Sequence, residues 1–229
     1  MVVLEAQQRA KKMNKLHNIA NNYYKSIVAA LLITIVTYCN LLCENRYIGA
    51  FMFSFGLIVI CKYNLNLFTG QAGYITIKQI PNYLITIITN LFYSMFFSAL
   101  LSFNENACLK AKEIWAIKSS LDVDSLIFSS FFCGVLIYIG VDYYKKHSSI
   151  IGLLFAIPIF VLCGFDHAVA DTVYFTLAFG RNYIVELNPT DLIRFLIIIL
   201  FNIAGSKVTK ILMENNKEAS ACWDNTRKE

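Results

Sequence analysis

Apolar residues in this chain are gathered into long runs, each bounded by short polar segments that carry nearly all of the charge. No charged residue lies between Lys25 and Glu44, between Lys78 and Glu105, between Asp124 and Asp142, or between His147 and Asp166. A helix needs about 20 apolar residues to cross roughly 30 Å of hydrocarbon, and each gap is close to that length. The pattern predicts six spans, over residues 27–42, 48–80, 83–103, 126–143, 150–179 and 192–213. Polar tails, 1–22 and 215–229, flank this 23–214 transmembrane domain, and residues 104–124 form a polar stretch between the third and fourth spans.

The second and fifth spans are interrupted. In the second, Asn64, Asn66, Thr69 and Gly70 fall at mid-membrane depth; in the fifth, Gly164, Asp166, His167 and Asp171 follow Pro158 and Cys163. Each interrupted span is the middle member of a group of three, and because three is odd the second group enters from the opposite side. The fold expected is an all-α integral membrane protein of six transmembrane helices in two inverted three-helix repeats. Its architecture is aquaporin-like, with helices 2 and 5 broken. Broken helices at corresponding positions of inverted repeats point to a substrate site near the bilayer midplane, because non-helical backbone is tolerated there only when buried in protein or lining a cavity.

Composition agrees with this pattern. Of 229 residues, 57% are hydrophobic and 15% charged, with a mean hydropathy of +0.56, against about 45–50% and 25% in soluble chains. A disordered tail, a collagen-like rod and a soluble domain are all excluded. The net charge of +5 does not indicate nucleic acid, since the basic residues sit outside the apolar runs and carry no nucleic-acid-binding signature. They bear on orientation instead. With an even number of spans the termini share a side. That side collects Arg9, Lys11, Lys12, Lys15, Lys25, Lys78, Lys145, Lys146, Lys207, Lys210, Lys217, Arg227 and Lys228, thirteen against six on the other (Arg46, Lys110, Lys112, Lys118, Arg181 and Arg194). The bias predicts cytoplasmic termini in a plasma (inner) membrane. The seven cysteines are odd in number and mostly within apolar runs, so they read as small buried residues rather than a disulfide framework.

Of the three histidines only His167 lies inside an apolar segment. An ionisable side chain at that depth is a functional candidate, and imidazole is the group best suited to exchange a proton near neutral pH. Asp166, His167 and Asp171 stand at i, i+1 and i+5 and do not converge as a ligand set, so neither a metal nor any other cofactor is expected.

The residues Phe53-Ser54-Phe55-Gly56-Leu57, then Leu67-Phe68-Thr69-Gly70, and a hundred residues on Gly164-Phe165-Asp166-His167-Ala168-Val169-Ala170 resemble the two helix-break motifs of the formate/nitrite transporter family. Their order and spacing and the number of spans agree over residues 27–213. The resemblance implies a homopentamer in the lipid bilayer, each protomer with its own pore for small monovalent anions (formate, nitrite, hydrosulfide or short carboxylates) and for protons, and no enzymatic activity. It implies that His167 is the pore histidine, with Thr69 as its hydrogen-bonding partner and Asn202 beside it. Phe53, Leu57, Leu67, Phe68 and Phe160 correspond to hydrophobic constrictions, and Lys118 to a vestibule lysine that raises the local anion concentration. Half-helix N-termini would add positive potential at the site.

The chain departs from the family pattern at Asn64 (usually Gly), Asn66 (usually acidic), Gly134 (often Asn), Asp171 (usually Asn) and Lys62, an added charge. Lys62 and Asp171, next to the two breaks, are expected to compensate each other as an intramembrane ion pair. Two other readings fit less well. An aquaporin-like channel needs paired Asn-Pro-Ala loops, and Asn188-Pro189 lies outside the spans. A membrane-embedded, metal-dependent lipid-modifying enzyme needs several converging carboxylates, which the spans lack.

Overall fold

A computed structural model describes the backbone of residues 2–226 and, besides residues 13 and 17, the side chains of residues 19–215. Several basic residues counted in the tails (Arg9, Lys11, Lys12, Lys15, Lys217, Arg227 and Lys228), together with Cys222, lie outside the described side chains. The described chain forms helices joined by short connections, with no strand among the described residues. In order the helices are α1 (Val2–Leu42), α2 (Arg46–Lys62), the single turn α3 (Phe68–Gln71), α4 (Ile80–Leu101), α5 (Glu105–Ser119), α6 (Val123–His147), α7 (Ile151–Leu162), α8 (Ala168–Phe179), the single turn α9 (Tyr183–Glu186) and α10 (Pro189–Thr226).

Four helical stretches, Ile19–Leu42, Ile77–Leu101, Val123–His147 and Pro189–Asn215, are long and apolar enough to cross a bilayer, and Ile151–Leu162 is a shorter apolar helix. Large apolar side chains such as Phe92, Phe96, Phe128, Leu196 and Leu200 are exposed on their outer faces. A soluble surface does not present so much contiguous apolar area, and the chain is an integral, multi-pass membrane protein. α1 and α10 continue through residues 22–23 and 214–215 without a break, so the polar tails begin as extensions of membrane helices.

The polar stretch after α4 is the amphipathic helix α5. Asn104 caps its N-terminus, accepting from the Ala107 N–H at 3.1 Å, and Ala107, Ala111 and Trp115 form its buried stripe at i, i+4 and i+8. Trp115 stacks on Phe195 of α10 at 5.7 Å and meets Phe175 of α8 edge-on at 5.1 Å. α5 thus lies against α8 and brings Lys118, in its last turn, to the second interruption.

α6 and α10 approach very closely. A Cβ at Gly134 would fall 2.2 Å from the Asn202 carbonyl oxygen, so the absence of a side chain there sets the distance between the helices. The Asn common at this position in the resembled family has no room in this packing.

Candidate functional site

The two interruptions have the same backbone. α2 and α7 each end in a 6→1 and 5→2 pair of hydrogen bonds around a left-handed residue, the arrangement that satisfies orphan carbonyls at a helix C-terminus. In the first, Leu65 N–H reaches Ile60 O at 2.9 Å and Asn64 N–H reaches Cys61 O at 3.3 Å; in the second, Phe165 N–H reaches Phe160 O at 3.0 Å and Gly164 N–H reaches Val161 O at 3.1 Å. The left-handed residues are Asn64 (φ 54°) and Gly164 (φ 71°). Glycine has no Cβ to clash in this conformation, and asparagine is the commonest substitute, so the departure at Asn64 preserves the turn.

After each turn the chain runs extended for a few residues and re-enters a helix, and a buried asparagine from a neighbouring helix clamps it. Asn202 of α10 accepts the Ala168 N–H at 3.1 Å and donates to Asp166 O and to Ser130 O of α6, both at 2.8 Å. Asn90 of α4 accepts the Phe68 N–H at 2.9 Å and donates to Asn66 O at 3.1 Å and to Ser26 O of α1 at 2.9 Å. Each amide satisfies backbone groups that the interruption leaves without helical partners. Asn202 is among the residues expected at the site, and Asn90 is not. The available signal was a lone asparagine near the middle of an apolar run, placed in the first half as Asn202 is in the second.

The interruptions meet at His167, which is buried to 1% exposure. As N-cap of α8 it accepts the Ala170 N–H on Nδ1 at 3.2 Å, and its Nε2 lies 3.0 Å from Oγ1 of Thr69 in α3. With Nδ1 occupied as an acceptor, the proton of the neutral ring resides on Nε2. Nε2–H therefore donates to Thr69 Oγ1, leaving the threonine hydroxyl hydrogen free to point elsewhere. The expected His167–Thr69 pair is formed.

The expected constriction residues gather around this pair. Phe53 meets Phe160 edge-on at 5.5 Å, and Phe160 stacks on the His167 ring at 5.8 Å. Phe53, Leu57, Leu67, Phe68 and Phe160 are each 2% exposed or less. Two cavities reach this layer from opposite sides. One, of about 470 Å3, is lined by Arg46, Phe53, Lys118, Phe160, His167 and Asp171 among others. The other, of about 320 Å3, is lined by Leu57, Lys62, Asn64, Leu67, Gln71 and Lys145 among others.

They share no lining residue and open at opposite ends of α2, with Arg46 in one and Lys62 in the other. At ~1.5 Å per residue those ends are about 24 Å apart, whereas Phe53 and Leu57, facing one cavity each, are about one turn apart. The partition between the cavities is thus a single layer of apolar side chains with one imidazole in it.

Lys118 is at the site, though not as a free cation. Its ammonium lies 2.8 Å from Asp166 Oδ1 and 3.1 Å from Asp171 Oδ1 and donates to the Gly164 carbonyl at 3.2 Å, with its side chain 10% exposed. Burial works against the charge, but Asp171 and Asp166 more than offset it and hold Lys118 protonated well above the usual lysine range. Asp166 is further engaged by the Ser129 hydroxyl. The expected Lys62–Asp171 pair is therefore corrected. Asp171 pairs with Lys118, and Lys62 is exposed beside the other cavity. The physical reason is position: Lys62 ends α2 on one side of the apolar layer, and Asp171 lies in the first turn of α8 on the other.

Two solved structures share this fold. A pentameric formate channel with formate bound is 17% identical, with a TM-score of 0.65 over 90% of this chain and 97% of that one. An FNT family ion channel is 17% identical, with a TM-score of 0.67 over 93% of each chain. At that identity the likeness establishes the fold. A comparison with curated proteins gives no significant match. The formate/nitrite transporter family model matches residues 2–214, the whole of the membrane domain and most of the N-terminal tail, and the chain belongs to the formate/nitrite transporter family.

Proposed function

We propose that this protein is a channel or proton-linked transporter for small monovalent anions, of the formate, nitrite, hydrosulfide or short-carboxylate kind, and that it acts as a homopentamer. The observation that carries the reading is the pair of cavities that face each other across one apolar layer holding His167 and Thr69. A bare anion in hydrocarbon loses hydration worth many kcal/mol, so a layer of Phe and Leu rejects hydrated ions. A hydrogen-bond donor in that layer lowers the barrier for an ion small enough to shed its water there.

His167 and Thr69 supply that donor. The ring holds its hydrogen on Nε2, directed at Thr69 Oγ1, and the threonine hydroxyl is then oriented to donate to an anion crossing the layer. For the anion to cross as the neutral acid, the ring must first take up a second proton from one side; the imidazolium then gives that proton to the anion and returns to the neutral ring.

The matching turns at residues 60–65 and 160–165, and the matching clamps by Asn90 and Asn202, support two inverted three-helix repeats with six spans. In this reading α2 and α3 belong to the second span, and α7 and α8 to the fifth. The excess of lysine and arginine on the side of both termini supports a cytoplasmic location for them. The pentameric assembly of the solved formate channel and the exposed apolar helix faces support a pentamer within the bilayer.

The test is flux into liposomes carrying the purified protein, with formate, nitrite, hydrosulfide and lactate offered over a pH series. The reading expects at least one of these anions to pass faster than through protein-free liposomes. Water permeation alone would instead indicate an aquaporin-like pore, and no solute flux would indicate an enzyme or scaffold.

A further inference from the structure

The two cavities differ in charge, and the difference is opposite to what the vestibule lysine alone suggests. In the larger cavity Lys118 is bracketed by Asp166 and Asp171, and Arg46 donates to the Leu162 carbonyl at 2.7 Å, closing the end of α7. The smaller cavity is lined by two lysines, Lys62 and Lys145, and by the amides of Asn64 and Gln71, with no carboxylate. Among the described residues neither lysine forms an ion pair. Lys145 sits over the Tyr74 ring at 3.4 Å. Asp142, on the same helix, is taken up by Lys146 and by the Tyr74 and Tyr138 hydroxyls, and it does not line the cavity.

A cation in the last turn of a helix ordinarily complements the helix dipole, and Lys62 and Lys145 both hold such positions. Dipole compensation does not account for two helix ends converging on one cavity that contains amide donors and no acid, one apolar layer away from His167. Such a pocket concentrates anions, since low-dielectric walls focus the field of like charges lining a cleft.

We infer that the Lys62–Lys145 cavity is an anion-collecting subsite, recognising a small singly charged oxyanion, and that the opposite, Lys118-lined cavity carries no comparable attraction. The inference rests on the anion-channel reading for its purpose but not for its test. It assigns the electrostatic role expected of Lys118 to the opposite mouth, and gives Lys62 a function other than pairing with Asp171.

Two cysteines allow the local potential to be read directly. Half-buried Cys61 lines the lysine-bearing cavity, and exposed Cys163 lines the other. In the full chain in detergent, with the remaining cysteines replaced by serine, each thiol is reacted in turn with sulfonatoethyl and trimethylammonioethyl methanethiosulfonate. The thiolate attacks the thiosulfonate sulfur and methanesulfinate leaves, so intrinsic thiol reactivity cancels in the ratio of the two rates.

The expected result is a preference of about tenfold or more for the anionic reagent at Cys61, relative to a free thiol, and little preference at Cys163. Lys62→Gln/Lys145→Gln abolishes the Cys61 preference, and Lys62→Arg/Lys145→Arg retains it. Sodium formate slows the anionic reagent at Cys61 when exchanged for gluconate at constant ionic strength. Equal ratios at the two cysteines, or a Cys61 ratio unchanged in the glutamine variant, overturn the inference. If the Cys61 preference holds while liposomes pass no anion, the channel reading fails and the anion subsite stands.

Discussion

The two interruptions are alike in backbone and different in chemistry. Both use the same terminating turn, with a left-handed residue at the same place in it (Asn64 and Gly164), and both are clamped by an asparagine (Asn90 and Asn202). Where the first places Asn66, Leu67 and Phe68, the second places Asp166, His167 and Ala168. Backbone reversal inside a membrane is costly unless its polar groups are satisfied within the protein, so the turn and clamp are obligatory at both sites. The residue before each helix that follows differs: Leu67 makes no side-chain cap, whereas His167 accepts the Ala170 N–H on Nδ1 and keeps Nε2 for Thr69. At one site it completes the apolar layer, and at the other it is the layer's single imidazole.

The largest effects should come from the clamps. Asn90→Ala and Asn202→Ala each leave buried backbone groups unpaired, and each is expected to destabilise the fold by about 2–4 kcal/mol. Thermal unfolding in detergent would read the two losses, and the comparison predicts that they are similar. A large cost at Asn202 with none at Asn90 would mean that the first interruption is held by something else.

A smaller effect is expected at the ion cluster. The coupling between Lys118→Met and Asp171→Asn, taken from a double-mutant cycle in stability, should be about 1–3 kcal/mol, and that between Lys62→Met and Asp171→Asn close to zero. Coupling through Lys62 would return Asp171 to the partner that its position in the chain suggests.

The smallest effect tests the turns. Asn64→Gly should change stability by about 1 kcal/mol or less, and Gly164→Asn should be similarly tolerated, whereas Gly164→Val should cost roughly 2 kcal/mol, because a β-branched side chain is strained at positive φ. Equal tolerance of valine would show that the left-handed turn is not required.

Much of this arrangement was legible in the sequence. The apolar runs marked the helices, and the polar residues within the second and fifth predicted spans marked the non-helical segments after α2 and α7 to within a few residues. The motif around His167 identified its contact with Thr69, because both are held by short helices whose starts are themselves part of the motif. What was not legible depended on distances between helices. The partner of Asp171 is set by α5 folding against α8 through Trp115, which nothing near Asp171 announces. The absence of a side chain at Gly134 is explained by the close approach of α10, and Asn90 by a turn 22 residues away. The order of a polar stretch such as 104–124 is equally hidden until its apolar face has something to cover.

The central claim is that an anion crosses beside the imidazole of His167, and formate flux into liposomes at several pH values tests it most directly. Wild-type protein should be compared with His167→Phe and with His167→Asn, the latter retaining an N-cap side chain, once size-exclusion profiles show that both assemble. The account predicts wild-type flux above the lipid background that rises as pH falls. It predicts that both variants lose the pH response, and that the Phe variant loses on the order of a hundredfold in rate, the worth of about 3 kcal/mol from a hydrogen bond to a charged group. A correctly assembled Phe variant with wild-type flux and an unchanged pH response would contradict it.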